Sequence, residues 1–305
     1  MKYFGIILSF FFCINLSAQE AGVISEANKE SLHTYEDTIS LLAYAIVNDS
    51  IKINRFAACK QIILTLKEAL QTENSFNYKF DRAQAISIQY PADNSFRIFT
   101  WQLYVDKDEY RYFGAIQMNT SDLKLYPLID RSADIEASNI EQFELSPEQW
   151  YGALYYKIKQ TTGPSGKYYL LFGFDAYRFF HKRKLIDVLS FKDGKPVFGA
   201  SIFSFETENK RAQPKKRFLL QYSPDASVTL NFDESRNMII FDNLMTITGQ
   251  YGEGPTKIPD GTYQGFELKD GIWVHIDKIF NQILDEPPVS KPVLGSGAKK
   301  DIFGN

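Results

Sequence analysis

The chain has 305 residues, 44% of them apolar and 15% aromatic, and its 34 basic and 37 acidic residues give a net charge of −3. That length allows a core large enough to stand without covalent staples. The mixed, near-neutral charge excludes the broad basic face of a nucleic-acid binder, since the densest basic runs, His181 to Lys184 and Lys210-Arg211 with Lys215 to Arg217, are short and read as solvated turns.

The first eighteen residues have the layout of a secretory signal peptide: Lys2, an apolar run from Phe4 to Leu16, then Ser17-Ala18 before Gln19. The run is too short for a hydrocarbon core that requires about 20 apolar residues. Phe10, Phe11 and Phe12 stand before Cys13 where a lipidated cysteine needs small neighbours. Cleavage after Ala18 removes Cys13 and Lys2, leaving Cys59 as the one thiol and a net charge of −4. The mature chain is expected to be soluble, disulfide-free and without a transmembrane segment. Four regions follow: signal peptide 1–18, helical hairpin region 19–80, antiparallel β domain 81–284 and flexible C-terminal tail 285–305, the last rich in Pro and Gly.

From Thr34 the spacing of Ile39, Leu42, Ala43 and Ile46 predicts one helix, and Phe56, Cys59, Ile63, Leu66 and Leu70 predict a second. Asn48-Asp49-Ser50 supplies the turn between them. Beyond about Phe80 the pattern becomes aromatic and β-branched runs punctuated by Gly, Pro, Asn and Asp, which predicts about ten strands. Asp193-Gly194 and Asp270-Gly271 predict type I′ hairpins. The run KYYLLFGF, Lys167 to Phe174, is apolar on both faces and belongs inside a sheet covered on each side, whereas Gly249 to Gly261 reads as a long loop. The fold class is α+β: an N-terminal helical hairpin packed on a largely antiparallel β-sheet region built as a meander, sandwich or open barrel.

Chemical signatures are sparse. His33, His181 and His275 lack metal-ligand spacing, so no metal site and no cofactor are expected. Asp106, Asp108 and Glu109 form a charged turn without the glycine and distal glutamate of a calcium loop. Gly163 to Lys167 has the wrong spacing for a phosphate loop, and no Gly-x-Ser-x-Gly elbow occurs. One segment brings a strand end together with a carboxylate, a guanidinium and an imidazole: Phe172-Gly173-Phe174-Asp175, then Tyr177, Arg178 and His181. Asp175 and His181 are the catalytic candidates and Arg178 a binding candidate, against the simpler expectation that Asp175 caps a turn and the other two are solvated. Trp101, Trp150 and Trp273 are binding candidates for stacking on sugar rings, against packing in the core.

The runs WYGALYYKI (Trp150 to Ile158), KYYLLFGFDA (Lys167 to Ala176) and KLIDVLSFKDGKPVFGASIF (Lys184 to Phe203) resemble a group of uncharacterised exported proteins of the Bacteroidota. The resemblance implies an extracytoplasmic location, the periplasm or cell surface of a Gram-negative bacterium, and carries over no activity and no site residue. Three functional readings result: a non-enzymatic binding or interaction module with a glycan or protein partner, a periplasmic hydrolase acting on glycans with Asp175 as one acid or base, or a structural scaffold with no small ligand.

Overall fold

The computed structural model describes residues 22–135, 140–205, 214–249, 252 and 254–279. The expected signal peptide, Cys13, Lys210-Arg211 and the expected C-terminal tail lie outside the described residues. The chain divides into two compact units. The first runs to Ala85 and adds Asn94–Arg97 and Ile116–Leu125; the second takes Ile86–Asp93, Ile98–Ala115 and the chain from Tyr126 onward.

The first unit contains helices α1 (Glu26–Asn48) and α2 (Lys52–Leu70). Ser25 caps α1 by accepting from the Asn28 amide at 3.2 Å, and Asp49 turns the chain by accepting from the Ile51 amide at 2.7 Å. On α1 the buried stripe is Leu32, Glu36, Ile39, Ala43 and Ile46. On α2 it passes through Cys59, Ile62, Leu66 and Leu70. The expected register of α2 is therefore corrected at one position: Ile62 is buried and Ile63 is 39% exposed, because Arg55, Ala58 and Ala69 are buried as well and shift the centre of the stripe to the side of Ile62.

Of the charged residues buried inside this unit, Glu36 and Arg97 organise the segment after α2. Glu36 accepts from the Tyr78 hydroxyl at 2.6 Å, the Arg82 amide at 2.7 Å and the Arg82 guanidinium at 3.1 Å. Arg97 is fully buried and donates to Gln117 Oε1 at 2.8 Å, to the Ser75 carbonyl at 2.9 Å and to the Tyr78 carbonyl. Each charge is saturated by partners, which is what burial requires.

Among the described residues fourteen strands form three open, almost wholly antiparallel sheets. The first orders β1 (Ser87–Gln89), β2 (Phe96–Asp106), β3 (Glu109–Met118) and β4 (Leu125–Ile129) as 1-2-3-4. The second places β6 (Gly166–Arg178) between β5 (Leu154–Gly163) and β7 (His181–Lys192), with β10 (Phe218–Tyr222) and β8 (Lys195–Phe198) also on β7. The third orders β11 (Leu230–Asp233), β12 (Met238–Thr248), β13 (Pro255–Lys269), β14 (Ile272–Ile276) and β9 (Phe203–Ser204), the last pair being parallel.

As its sequence predicts, β6 is an inner strand buried on both faces. Tyr168, Leu170 and Phe172 join Ile186 and Val188 in one core with Ile239, Phe241, Phe266 and Trp273 of the third sheet. The second and third sheets thus share an aromatic-rich interior. Both Asp-Gly turns have the two positive φ angles of a type I′ hairpin, 51° and 74° at Asp193-Gly194 and 50° and 80° at Asp270-Gly271.

Two strands, β4 and β12, escape the sequence pattern, and the expected loop 249–261 is half strand, since β13 begins at Pro255. Pro255 and Pro259 pair with Thr248 and Leu244 on β12, and the ladder with β14 starts only at Gly265. Among the described residues the early half of β13 thus has no ladder on its second side, where the Ser223 amide makes a single bond to the Lys257 carbonyl, and this is where a strand tolerates proline.

Candidate functional site

The β6–β7 hairpin does not close regularly. Asp175 pairs with Arg183 and Arg178 with His181, and the register shifts between these pairs. The extra residue puts Tyr177 at φ +49°, an uncommon conformation for a residue with a bulky side chain. Asp175 holds the bulge by accepting from the Tyr177 amide at 2.8 Å through Oδ1. This is the turn work expected of Asp175, but it is done from inside, because the residue is only 3% exposed.

Two tyrosines from elsewhere in the chain complete the carboxylate's shell. Tyr112 of β3 donates to Oδ1 at 3.0 Å and Tyr151 to Oδ2 at 2.5 Å. The Tyr112 oxygen in turn accepts from the Ala176 amide at 2.6 Å, and the Tyr151 oxygen accepts from Arg183 Nη1 at 3.0 Å. Burial, assisted by the Asp175 charge, pushes both phenols well above their ordinary value of 10. Burial also raises the Asp175 carboxyl above 3.8, against the hydrogen bonds of Tyr151, Tyr177 and Tyr112 and the charge of Arg183.

Arg183 was expected in a solvated basic turn; the structure instead leaves it 4% exposed. Its Nε donates to Gln221 Oε1 at 3.0 Å, and its guanidinium carbon lies 3.3 Å from the centre of the Tyr177 ring. Arg178 is exposed and its guanidinium stands 5.0 Å from the same ring. Lys182 donates to the Ala176 carbonyl at 3.0 Å and the Arg178 carbonyl at 3.2 Å while lying 5.2 Å over the Tyr110 ring. Desolvation lowers its ammonium below the ordinary value. The turn between β2 and β3 meets the hairpin where Asp108 accepts from the Phe179 amide at 3.2 Å.

These contacts frame two adjoining hollows. A small one of about 130 Å³ has Asp175, Tyr112, Tyr151, Tyr177, Arg183 and Arg178 in its wall, with Tyr110 and Asp108 on the β3 side. A wider one of about 450 Å³ is bounded by Asp108, Arg178, Phe180 and His181. The structure therefore brings Asp175, Arg178 and His181 to one mouth, with Arg178 common to both hollows.

The three tryptophans are elsewhere and have no face free for a ligand: Trp101, Trp150 and Trp273 are 3%, 0% and 1% exposed. Trp101 stacks on Phe113 at 5.8 Å, Trp150 donates to the Tyr155 hydroxyl at 2.8 Å, and Trp273 meets Phe232 edge-on at 6.1 Å. Packing claims these rings, as their size and the lack of disulfides favour. Among the described residues no group of three or more His, Cys, Asp or Glu side chains is placed to hold a metal ion. His33 faces Asp37 at 3.7 Å and His275 packs between Phe205 and Phe241, each apart from the hairpin site.

Tyr112 and Tyr151 are the residues that sequence reading missed. Tyr112 lies 63 positions from Asp175, and Tyr151 lies 24 positions away, so no local spacing links them. Arg183 was in view, but short basic runs ordinarily face water.

Asp175 has both oxygens engaged by protein donors, and among the described residues the other carboxylates on these walls are Asp108 and Glu109. Glu109 is paired with Arg111 at 3.2 Å. The arrangement is chemically a set of fixed donors, acceptors and ring faces. No family model matches this chain, and no curated protein or solved structure matches it either.

Proposed function

We propose that this chain is an exported, non-enzymatic binding module that recognises a saccharide at the mouth between the β2–β3 turn and the β6–β7 hairpin. One observation carries the reading: the wall of the site is pre-assembled by the Asp175 network, which engages the buried carboxylate entirely while leaving guanidinium, carboxylate and tyrosine groups directed at the hollow. Vicinal sugar hydroxyls donate to carboxylates and accept from guanidiniums, and the C–H faces of a sugar pack on tyrosine rings. Asp108, Arg178 and Tyr110 supply those three functions within the lining. A hydrolase using Asp175 would need a carboxyl free to exchange a proton with its substrate, whereas this one meets three protein donors.

The test is calorimetric titration of the chain beginning at Gln19 against a panel of mono- and oligosaccharides. Saturable binding without turnover is expected, with Arg178→Ala and Tyr110→Ala each weakening it by roughly tenfold or more at unchanged melting temperature, equivalent to about 1.4 kcal/mol. Glycan hydrolysis abolished by Asp175→Asn would establish the rival reading instead. Recovery of the uncut leader on a cytosolic protein would remove the export part of the proposal.

A further inference from the structure

The charges left over at the mouth specify more than a sugar. Arg82, Arg111, Arg131, Arg217 and Arg236 each have a carboxylate within 4.0 Å. Arg178 and Arg183 meet none at that distance among the described residues, yet both stand in the wall of the 130 Å³ hollow. Arg183 is pinned through Nε by Gln221, through Nη1 by Tyr151 and across its face by Tyr177, and among the described residues no acceptor is hydrogen-bonded to Nη2. A guanidinium held this firmly, with one N–H edge unmatched in a hollow, is a fixed receptor for a planar anion.

The acidic groups nearby do not fill that role. Asp175 stands in the wall of the small hollow, but its two oxygens already accept from Tyr112, Tyr151 and the Tyr177 amide, and the Tyr151 hydroxyl bridges it to Arg183 Nη1. Glu109 is paired with Arg111, and Asp108 holds the Phe179 amide at the rim. The small hollow has room for a carboxylate group and its attached carbon, given about 30 Å³ per water in the liquid. The wider hollow beside it, with Phe180 and His181, takes the ring.

We infer that the preferred ligand is an acidic sugar, a uronic acid residue whose carboxylate seats on Arg183 and Arg178 while its ring lies toward Phe180 and Tyr110. This rests on the saccharide-binding reading and narrows it. Guanidiniums receive carboxylate and phosphate alike, and the singly charged carboxylate is favoured here because Asp108, Glu109 and Asp175 in the same lining oppose the higher charge of a phosphate.

The experiment titrates the chain from Gln19 with galacturonan, glucuronan and alginate fragments, each beside its own methyl ester, at low and moderate salt. The free acids should bind roughly tenfold or more tightly than the esters, with a preference that shrinks as salt rises. The exposed Arg178→Gln should cut that preference to about threefold or less without changing the melting temperature. Arg183→Gln should abolish acid binding, and its circular dichroism spectrum and melting curve report whether the variant folds. Equal affinity for acid and ester, or an acid preference untouched by Arg178→Gln, overturns the uronic acid assignment while leaving saccharide binding standing. Binding of neither acids, esters nor neutral sugars overturns both.

Discussion

Asp175 shows how a single buried carboxyl can organise the wall of a hollow. Its shell of Tyr112, Tyr151 and the Tyr177 amide fixes the hairpin bulge, and through Tyr151 it orients Arg183. Because burial raises its folded-state value above 3.8, the proton is bound more tightly in the folded chain than in the unfolded one. The stabilisation tied to that proton is complete below pH 3.8 and is lost as pH rises through the folded-state value. Subtracting the unfolding free energies of Asp175→Asn from those of the wild type, between about pH 3 and pH 8, should leave a difference that declines with pH. A level difference would mean that the carboxyl titrates as it does in water.

Glu36 behaves in the opposite sense. Burial opposes its charge, but Tyr78 and Arg82 outweigh burial and hold the carboxyl below its ordinary 4.5. Its contribution is present above pH 4.5 and disappears as pH falls through the lower folded-state value. Glu36→Gln should therefore flatten the acid limb of the stability curve and cost about 1.5–3 kcal/mol at neutral pH, read by urea denaturation.

A third buried charge is an ion pair. Arg217 and Asp187 are both 0% exposed and meet at 2.8 Å, a contact whose angle falls outside hydrogen-bond geometry, so Arg217 Nη2 gains attraction there without an aligned bond. Arg217 Nη1 donates to the Ile140 carbonyl at 2.5 Å, and Asp187 accepts from Tyr155 at 3.3 Å and the Val188 amide at 2.8 Å. Asp187→Ala strands the guanidinium in the interior and should cost about 3–5 kcal/mol in unfolding experiments. A loss below about 1 kcal/mol would show that water reaches Arg217.

At the scale of elements, hairpin turns place the strands. Gly271 combines φ +80° with a neighbour so close that an added Cβ would stand 2.9 Å from Gly163 Cα, so the tip of β13–β14 abuts that of β5–β6. Gly271→Ala adds backbone strain to a contact that cannot yield cheaply, and a loss of about 1–3 kcal/mol should appear in thermal denaturation. Gly166→Ala, with φ +116° and open space around it, should show the conformational part alone and cost less. Equal losses at the two sites would mean that the contact between tips is soft.

For the whole molecule, cohesion rests on apolar packing in each unit. Cys59 is buried on α2, and no disulfide occurs among the described residues. In the chain from Gln19, a thiol reagent should label about one cysteine only as the protein unfolds, and reductant should leave the melting temperature unmoved. Rapid labelling of the folded protein would mean that the helical hairpin opens locally.

Periodicity and turn chemistry alone yield two N-terminal helices, an antiparallel β region, a doubly buried β6 and two Asp-Gly hairpins, because each depends on neighbours a few residues apart. Ile62 in place of Ile63, strand β12 and the pairing of Pro259 within β13 escape that reading, since they are settled by what packs or pairs across the fold. The site divides the same way. Asp175, Arg178 and His181 are visible as a local constellation, but the burial of Arg183 and the closing of Tyr112 and Tyr151 around Asp175 are decided by long-range sheet packing. A carboxylate's partners are chosen by distance in space, and the order of residues along the chain does not record it.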